Sequence, residues 1–394
     1  MPTIFFDISN LQNLNKNISG IPRLSLTILH KLYLHFGATQ IAGISFSNQY
    51  QDYKIFDLQE IKETCVAYVD MFDDIPDIVS NTNLIKNGDI FLILGEPWDF
   101  PQIVTSLNIL KSKYDIKIYS IVHDLMPFFL PELYMPGFPE EYKKCYSSLL
   151  PISTKIFYYS EATKNDLLRY YSKDEIEKKL ERIHLGGDIN LLGRNEPISL
   201  DVQNKLQNKE YIIYVSSFSA RKNHFLLIYV WRMLLDKFGD KAPYLVLVGS
   251  VNNNLTSNTL DLIARNPLLN EKILIFSDVS NATLTWLYKN ALFSIFPSIY
   301  EGWGLPVSES LTLGKFCIAS TAGSLPENGS DFVVYFNPYD SGALFNLVCK
   351  YFENRHLIKD AEAYINSEYK KTTWDDCANE IIKAIENDYE NSSA

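Results

Sequence analysis

Short runs of apolar residues recur along this chain, and most of them do not alternate with polar ones. TIFFD (3–7), IAGISF (41–46), DIFLIL (89–94), IKIYSIV (116–122) and KIFYYS (155–160) stand in the first half. YIIYVS (211–216), YLVLVG (244–249), KILIFS (272–277) and LFSIFP (292–297) stand in the second. A strand with one wet face reads as alternation. Continuous runs rich in Ile, Val, Tyr and Phe suit strands buried on both faces. Longer helical patterns lie between the runs, and that order predicts an α/β chain of βαβ units with parallel sheets. The runs are too many for one small sheet, and 394 residues suit two domains better than one. A polar, glycine-containing, weakly periodic stretch over 186–209 sets the linker. The expected units are 1–187, 188–371 and a C-terminal segment 372–394. The last begins with an amphipathic helix pattern that puts Trp374, Cys377, Ile381, Ile382 and Ile385 near one stripe.

Composition narrows the function classes. The formal net charge is −11 with no long run of one sign, and a duplex-binding surface needs clustered Lys and Arg, so nucleic acid is not an expected partner. Cys65, Cys145, Cys317, Cys349 and Cys377 are dispersed without a C-x-x-C pair. That pattern fits reduced thiols in a cytoplasmic protein better than a disulfide framework. MPTIFFDISN has no basic segment leading into an apolar one, so no signal peptide is expected. No window of 18 apolar residues occurs, so no membrane span is expected. Peripheral attachment at the inner face of the cytoplasmic membrane stays open, as does the oligomeric state.

Several nucleotide motifs are missing. There is no G-x-x-x-x-G-K-[ST] loop, and Val307 fills the third glycine place of the pattern that Gly302 and Gly304 begin. No D-x-D occurs, Asp73, Asp74 and Asp77 coming closest. A diphosphate here is therefore expected to be held by side-chain cations and not through a metal on that motif. VSSFSARKN (215–223) offers them: a strand runs into a loop carrying Arg221 and Lys222, then into a helical pattern. Ligands of open parallel sheets collect at that edge, helix N-terminal amides add partial positive charge, and Arg supplies a fork where Lys supplies a point charge. Taken alone, the same pair reads as solvated surface.

PSIYEGWGLPVSESLTLGKF (297–316) places Glu301 and Glu309 with seven residues between them. Pro306 suits the start of a helix and Gly314 its end. Glu301 then falls in the loop and Glu309 in the first turns of the helix. Gly302 and Gly304 let a ligand approach the backbone closely. Carboxylates repel phosphate, so their natural targets are hydroxyls, and an ionised carboxylate matches a vicinal diol. Singly, Glu301 also reads as a loop carboxylate and Glu309 as a helix-dipole partner; the pair with its glycines favours a polyol. In the first half, His123 ends a strand in IVHDLMP (121–127) and is followed by Asp124. A lone histidine is more often structural, and its place at a strand end raises the functional reading. NISGIPRLS (17–25) puts Gly20 and Pro22 at a helix start that either simply begins a helix or faces a ligand. PFFLPELYMPGF (127–138) reads as an apolar loop, either a buried or mobile one or one that meets a lipid-linked acceptor.

These motifs together resemble the retaining glycosyltransferases of family 4. Glu301 and Glu309 stand as its E-x₇-E pair within YEGWGLPVSES, and Arg221-Lys222-Asn223 resembles its R-K-N loop. Residues 277–298 and 319–340 resemble the segments before and after, and SGIPR (19–23), VHDLMP (122–127) and YYSEATKNDL (158–167) extend the likeness through the first half. Within the family the chain looks most like bacterial enzymes that build O-antigen or capsule chains, often mannosyltransferases. The resemblance implies a GT-B fold of two Rossmann-like domains facing a cleft, with the C-terminal helix crossing back to the first. It implies that Arg221 and Lys222 neutralise a leaving nucleoside diphosphate and that Glu309 binds ribose hydroxyls. Glu301 would contact the donor sugar, with His123 approaching from the first domain. Gly302, Trp303, Gly304 and Leu305 would position the donor, and Gly20 and Ser217 would lie close to it. The implied partners are a sugar nucleotide, GDP-mannose first, and a glycan or undecaprenyl-linked acceptor, with no cofactor and no metal. The loop departs from the family where Ser216-Ser217 replaces a common glycine and Ser219-Ala220 a common Glu-Pro. A non-catalytic sugar-nucleotide or glycan-binding module, and an epimerase or phosphorylase on the same scaffold, are the competing readings.

Overall fold

The computed structural model describes residues 2–11, 20–46, 53–64, 85–189, 197–251 and 253–393. Cys65, the acidic Asp73, Asp74 and Asp77, residues 17–19 and the linker segment 190–196 lie outside them. The chain folds as two compact units, Met1–Gly186 with Thr372–Ala394, and Gly187–Lys371.

The first unit is built on a seven-stranded sheet in the order β3-β2-β1-β4-β5-β6-β7. Its strands are β1 (Ile4–Asp7), β2 (Ile41–Ser45), β3 (Lys54–Phe56), β4 (Ile90–Ile93), β5 (Lys117–Ile121), β6 (Lys155–Tyr158) and β7 (Leu180–Arg182). All pairings are parallel except β2 with β3. β1, β2 and β4 are buried along their whole length, as continuous apolar runs demand when helices cover both faces. Helix Trp374–Ser393 also lies in this unit. It buries Trp374, Cys377, Ile381, Ile382 and Ile385. Its polar side is tied down by Lys31–Asp375 (2.7 Å), His184–Glu380 (2.8 Å) and Lys155–Asp388 (3.4 Å).

The second unit holds a six-stranded, all-parallel sheet in the order β10-β9-β8-β11-β12-β13. Its strands are β8 (Tyr211–Val215), β9 (Tyr244–Val248), β10 (Ile273–Phe276), β11 (Ser294–Phe296), β12 (Cys317–Ser320) and β13 (Val333–Phe336). In both sheets the chain starts near the middle, builds outward, then returns to the other side of the starting strand. The reversal falls between β1 and β4 in the first sheet and between β8 and β11 in the second. Such switch points leave a crevice beyond the carboxyl ends of the strands.

Two expectations change. The stretch 186–209 contains helix Leu200–Leu206, because Val202 and Leu206 are buried and Ser199 accepts from the Val202 N–H at 3.4 Å. The segment 127–138 is not open loop. It joins helix Met126–Phe129 to a 3-10 turn at Pro131–Leu133, and Phe128 packs at 5.1–6.3 Å on Tyr170, Tyr171 and Tyr142. Among the described residues no helix is long and apolar enough to cross a membrane.

Candidate active site

The switch point of the second sheet gathers the main charged candidates. β8 ends at Val215, the chain passes through a turn at Ala220–Lys222, and helix His224–Phe238 follows. Asn223 makes the corner in a left-handed conformation (φ 59°), which Asn tolerates better than most residues. Its side-chain amide donates to the carbonyls of Pro297 (3.0 Å) and Pro338 (2.8 Å), joining this loop to the ends of β11 and β13. The Ile299 N–H donates to the Arg221 carbonyl at 2.8 Å. The loop's position is therefore set by its backbone neighbours before any charge acts.

Arg221 and Lys222 then meet Glu301. Lys222 is buried, and its ammonium lies 2.5 Å from Glu301 Oε1. Arg221 is more exposed, and its guanidinium lies 3.3 Å from Oε2. The Lys222 ammonium also sits 5.3 Å from the centre of the Phe296 ring, which favours a cation. Burial pushes the Glu301 carboxyl upward, but the Lys222 and Arg221 charges together outweigh it and hold the group below its ordinary value. Glu301 is thus a buried carboxylate that stays ionised because two cations face it. Next to them, burial first and the Lys222 charge second bring His224 down to about 3. It is neutral and stacks on Phe218 with ring centres 4.1 Å apart.

The stretch after Glu301 is held through its carbonyls. The Ser324 N–H and hydroxyl both donate to the Glu301 carbonyl, at 3.1 and 3.0 Å. Asn328 donates to the carbonyls of Trp303 (2.8 Å) and Gly304 (3.0 Å) and accepts from the Ser308 hydroxyl (2.8 Å), which in turn accepts from the Trp303 indole (3.1 Å). Gly304 is left-handed (φ 87°) and caps helix Leu305–Thr312. The helix starts one residue earlier than Pro306, which lies in its first turn. Gly323 is also left-handed (φ 59°), and a Cβ there would lie 2.4 Å from the Glu301 carbonyl oxygen.

Glu309 is buried on that helix and accepts from the Tyr288 hydroxyl at 3.2 Å. Gly302 is buried, Trp303 and Leu305 are half-buried, and Ser217 is exposed beyond β8. Gly20 and His123 belong to the first unit. Gly20 (φ 66°) is exposed at the start of helix Ile21–Phe36. His123 is buried, with Nε2 3.0 Å from the Gly95 carbonyl and Nδ1 2.8 Å from the Tyr159 hydroxyl. Burial lowers its pKa to about 4, against the backbone contacts at Gly95 and Leu94. A neutral ring facing a carbonyl must donate from Nε2, so Nδ1 accepts from Tyr159. Both nitrogens are engaged within this unit. Among the described residues no group of three or more His, Cys, Asp or Glu side chains is placed to hold a metal ion.

Residues 196–371, nearly the whole of the second unit, match the family model described as Glycosyl transferases group 1. The serotype-specific mannosyltransferase WbdA of Escherichia coli is 23% identical over 274 residues, taking in 68% of this chain and 33% of its own. This chain thus spans about a third of the length of the WbdA it matches. The O-antigen chain mannosyltransferase B of Escherichia coli is also 23% identical, over 66% of this chain and 68% of its own. Among solved structures, the sucrose-phosphate synthase of Thermosynechococcus elongatus superposes with a TM-score of 0.72 at 14% identity, covering 99% of this chain and 100% of the other. Anabaena HepE in complex with UDP-glucose gives 0.65 at 14% identity, covering 98% and 99%. These likenesses show the fold, the two parallel-sheet units of GT-B glycosyltransferases.

Proposed function

We propose that the chain is a retaining glycosyltransferase of family 4 that moves a hexose from a sugar nucleotide to a hydroxyl of a glycan or lipid-linked glycan in bacterial surface polysaccharide synthesis. The observation that carries the reading is the convergence of Lys222, Arg221 and Glu301 at the switch point of the second sheet. Two cations beside helix amides suit a diphosphate, and a carboxylate beside them suits the hydroxyls of the sugar it carries. Mannose from GDP-mannose is the first donor, supported by the two Escherichia coli mannosyltransferases.

In this reading the bond from the sugar's anomeric carbon to the diphosphate oxygen breaks, and a bond from that carbon to the acceptor oxygen forms. The acceptor proton passes to the leaving diphosphate. Arg221 and Lys222 stabilise the charge that grows on the leaving group, so no metal is required. Glu301 leaves its cations in part and turns toward the sugar hydroxyls. Glu309 takes the ribose hydroxyls, and the Asn328-held backbone of Trp303 and Gly304 fixes the donor between them. The test is thermal shift with GDP, UDP, ADP and dTDP, followed by nucleoside diphosphate release from the matching mannose or glucose donor. Stabilisation by one nucleotide with acceptor-dependent release is expected. Selective response to UDP moves the donor assignment; no response to any of the four overturns the reading.

A further inference from the structure

Beyond β13 the chain makes a tight turn over 337–340. The Asn337 carbonyl accepts from the Asp340 N–H at 2.9 Å, and the Asn337 side-chain oxygen accepts from the Tyr339 N–H at 3.0 Å. Asn at the first place and Pro338 at the second suit such a turn. Asp340 then accepts from the Ala343 N–H at 2.8 Å and caps helix Ser341–Glu353. Pro338 is buried. Tyr339 is therefore fixed through its backbone, yet it is 71% exposed, the most exposed Phe, Tyr or Trp among the described residues.

A lone exposed tyrosine asks for no explanation by itself. This one is tied to the candidate active site. The Pro338 carbonyl, one residue before it, accepts from the amide of Asn223, one residue after Lys222. The Thr321 N–H donates to the Phe336 carbonyl at 2.9 Å, and Ser324, three residues on, holds Glu301 by its carbonyl. The turn thus adjoins the strand ends that carry Glu301. Glu309 instead bonds to Tyr288, which packs in the core with residues of β8, β9 and β10. In the transferase reading, the nucleoside end of the donor then lies toward β8–β10, and its sugar end toward β12 and β13. The turn offers no cation for a phosphate. A tyrosine ring offers a flat apolar face at low cost in side-chain freedom, and that face matches the C–H face of a pyranose. We propose that Tyr339 is an aromatic platform for the acceptor, its ring stacking on the acceptor sugar beside the donor's anomeric carbon. The assignment rests on the transferase reading and gives the donor-holding unit a specificity residue for the second substrate.

The test is saturation-transfer NMR on the full chain with methyl α-D-mannopyranoside and methyl α-D-glucopyranoside as probes, in the presence of GDP or UDP. The wild type is expected to bind at least one glycoside. Tyr339→Ala should weaken that binding by about 3–10-fold, the loss of one ring contact, and Tyr339→Phe should keep it. Tm and stabilisation by GDP or UDP should be unchanged in both variants, because the side chain is exposed. Unchanged glycoside binding in Tyr339→Ala, an equal loss in Tyr339→Phe, or no saturation transfer to either glycoside in the wild type overturns the platform. Lost nucleotide stabilisation in Tyr339→Ala also overturns it, because the ring would then serve the nucleobase. Failure of the transferase reading shows differently, as the absence of any nucleotide response in the wild type.

Discussion

At the switch point between β8 and β11, two cations close on one buried carboxylate. At the equivalent point between β1 and β4 stand the buried Asn10, whose amide has no hydrogen-bond partner among the described residues, and Glu96, whose charged neighbour is the carboxylate of Asp99. The architecture is the same in both: a parallel sheet reverses direction and opens a crevice beyond its strands. The difference lies in the two or three side chains that the crevice receives, and it shows that fold decides where a ligand sits and not what it is. A cation pair selects phosphate. The comparison breaks most directly at the cation pair. Lys222→Ala should lower transfer by about 10²–10³-fold, the usual cost of losing one preorganised charge contact to a transition state. It should also destabilise the fold by about 3 kcal/mol, because Glu301 is left buried with only Arg221. Arg221→Ala, at a more exposed position, should cost roughly 10-fold in transfer. Nucleoside diphosphate release and urea unfolding read the two effects, and undiminished transfer in both variants would remove the pair from the mechanism.

Glu301→Gln separates binding from transfer at the same point. Glu301 is the resident counter-ion of both cations, so it competes with a diphosphate for them. Without its charge, GDP carrying no sugar should bind at least as tightly as to the wild type, while transfer falls by about 10²-fold because the sugar hydroxyls lose their acceptor. Calorimetric titration of GDP beside steady-state rates tests the split. Weaker GDP binding in the variant would mean that Glu301 positions the cations and does not compete with the ligand.

Much of this site was legible in the sequence, and the reasons are physical. Arg221-Lys222 follows a strand and precedes a helix, and a glycine-broken stretch cannot carry Glu301 and Glu309 on one helical face. What the sequence could not show is that Glu301 rests on the cations. That contact joins residues 80 positions apart and depends on β8 and β11 being neighbours. Asn328, Ser324 and Gly323 were missed because they act on carbonyl oxygens, which every residue has. Asn223 was visible only as part of R-K-N, with no sign that its amide joins the ends of two other strands. Strands β3, β7, β12 and β13 escaped because they are only three or four residues each and do not stand out from the loops around them.

Gly323→Ala sharpens the comparison from the backbone side. A methyl group there meets the Glu301 carbonyl oxygen at 2.4 Å, and the residue must also keep a φ of 59°. That oxygen is backbone and not the end of a flexible side chain, so the cost should be about 1–3 kcal/mol. A lower Tm with a comparable fall in GDP stabilisation is expected. An unchanged Tm would mean that the loop after β12 can shift away from Glu301.

The smallest effect distinguishes the two carboxylates by sign. In the folded chain Glu301 is held below its ordinary value, so it contributes stability above the unfolded pKa, lost as pH falls through the folded one. Glu96 is raised from 4.5 to about 7. Folding therefore favours its protonated form, and stability declines as pH rises from the unfolded value through the folded one. Glu96→Gln removes that penalty. Its Tm should match the wild type near pH 4 and exceed it by roughly 2–4 °C at pH 8, about 1 kcal/mol for a unit of this size. Glu301→Gln should run the other way, less stable than the wild type at pH 7 and converging with it in acid. Parallel curves for the two variants would show that Glu96 is no more perturbed than a surface acid, and the contrast between the two crevices would then rest on Asn10 alone.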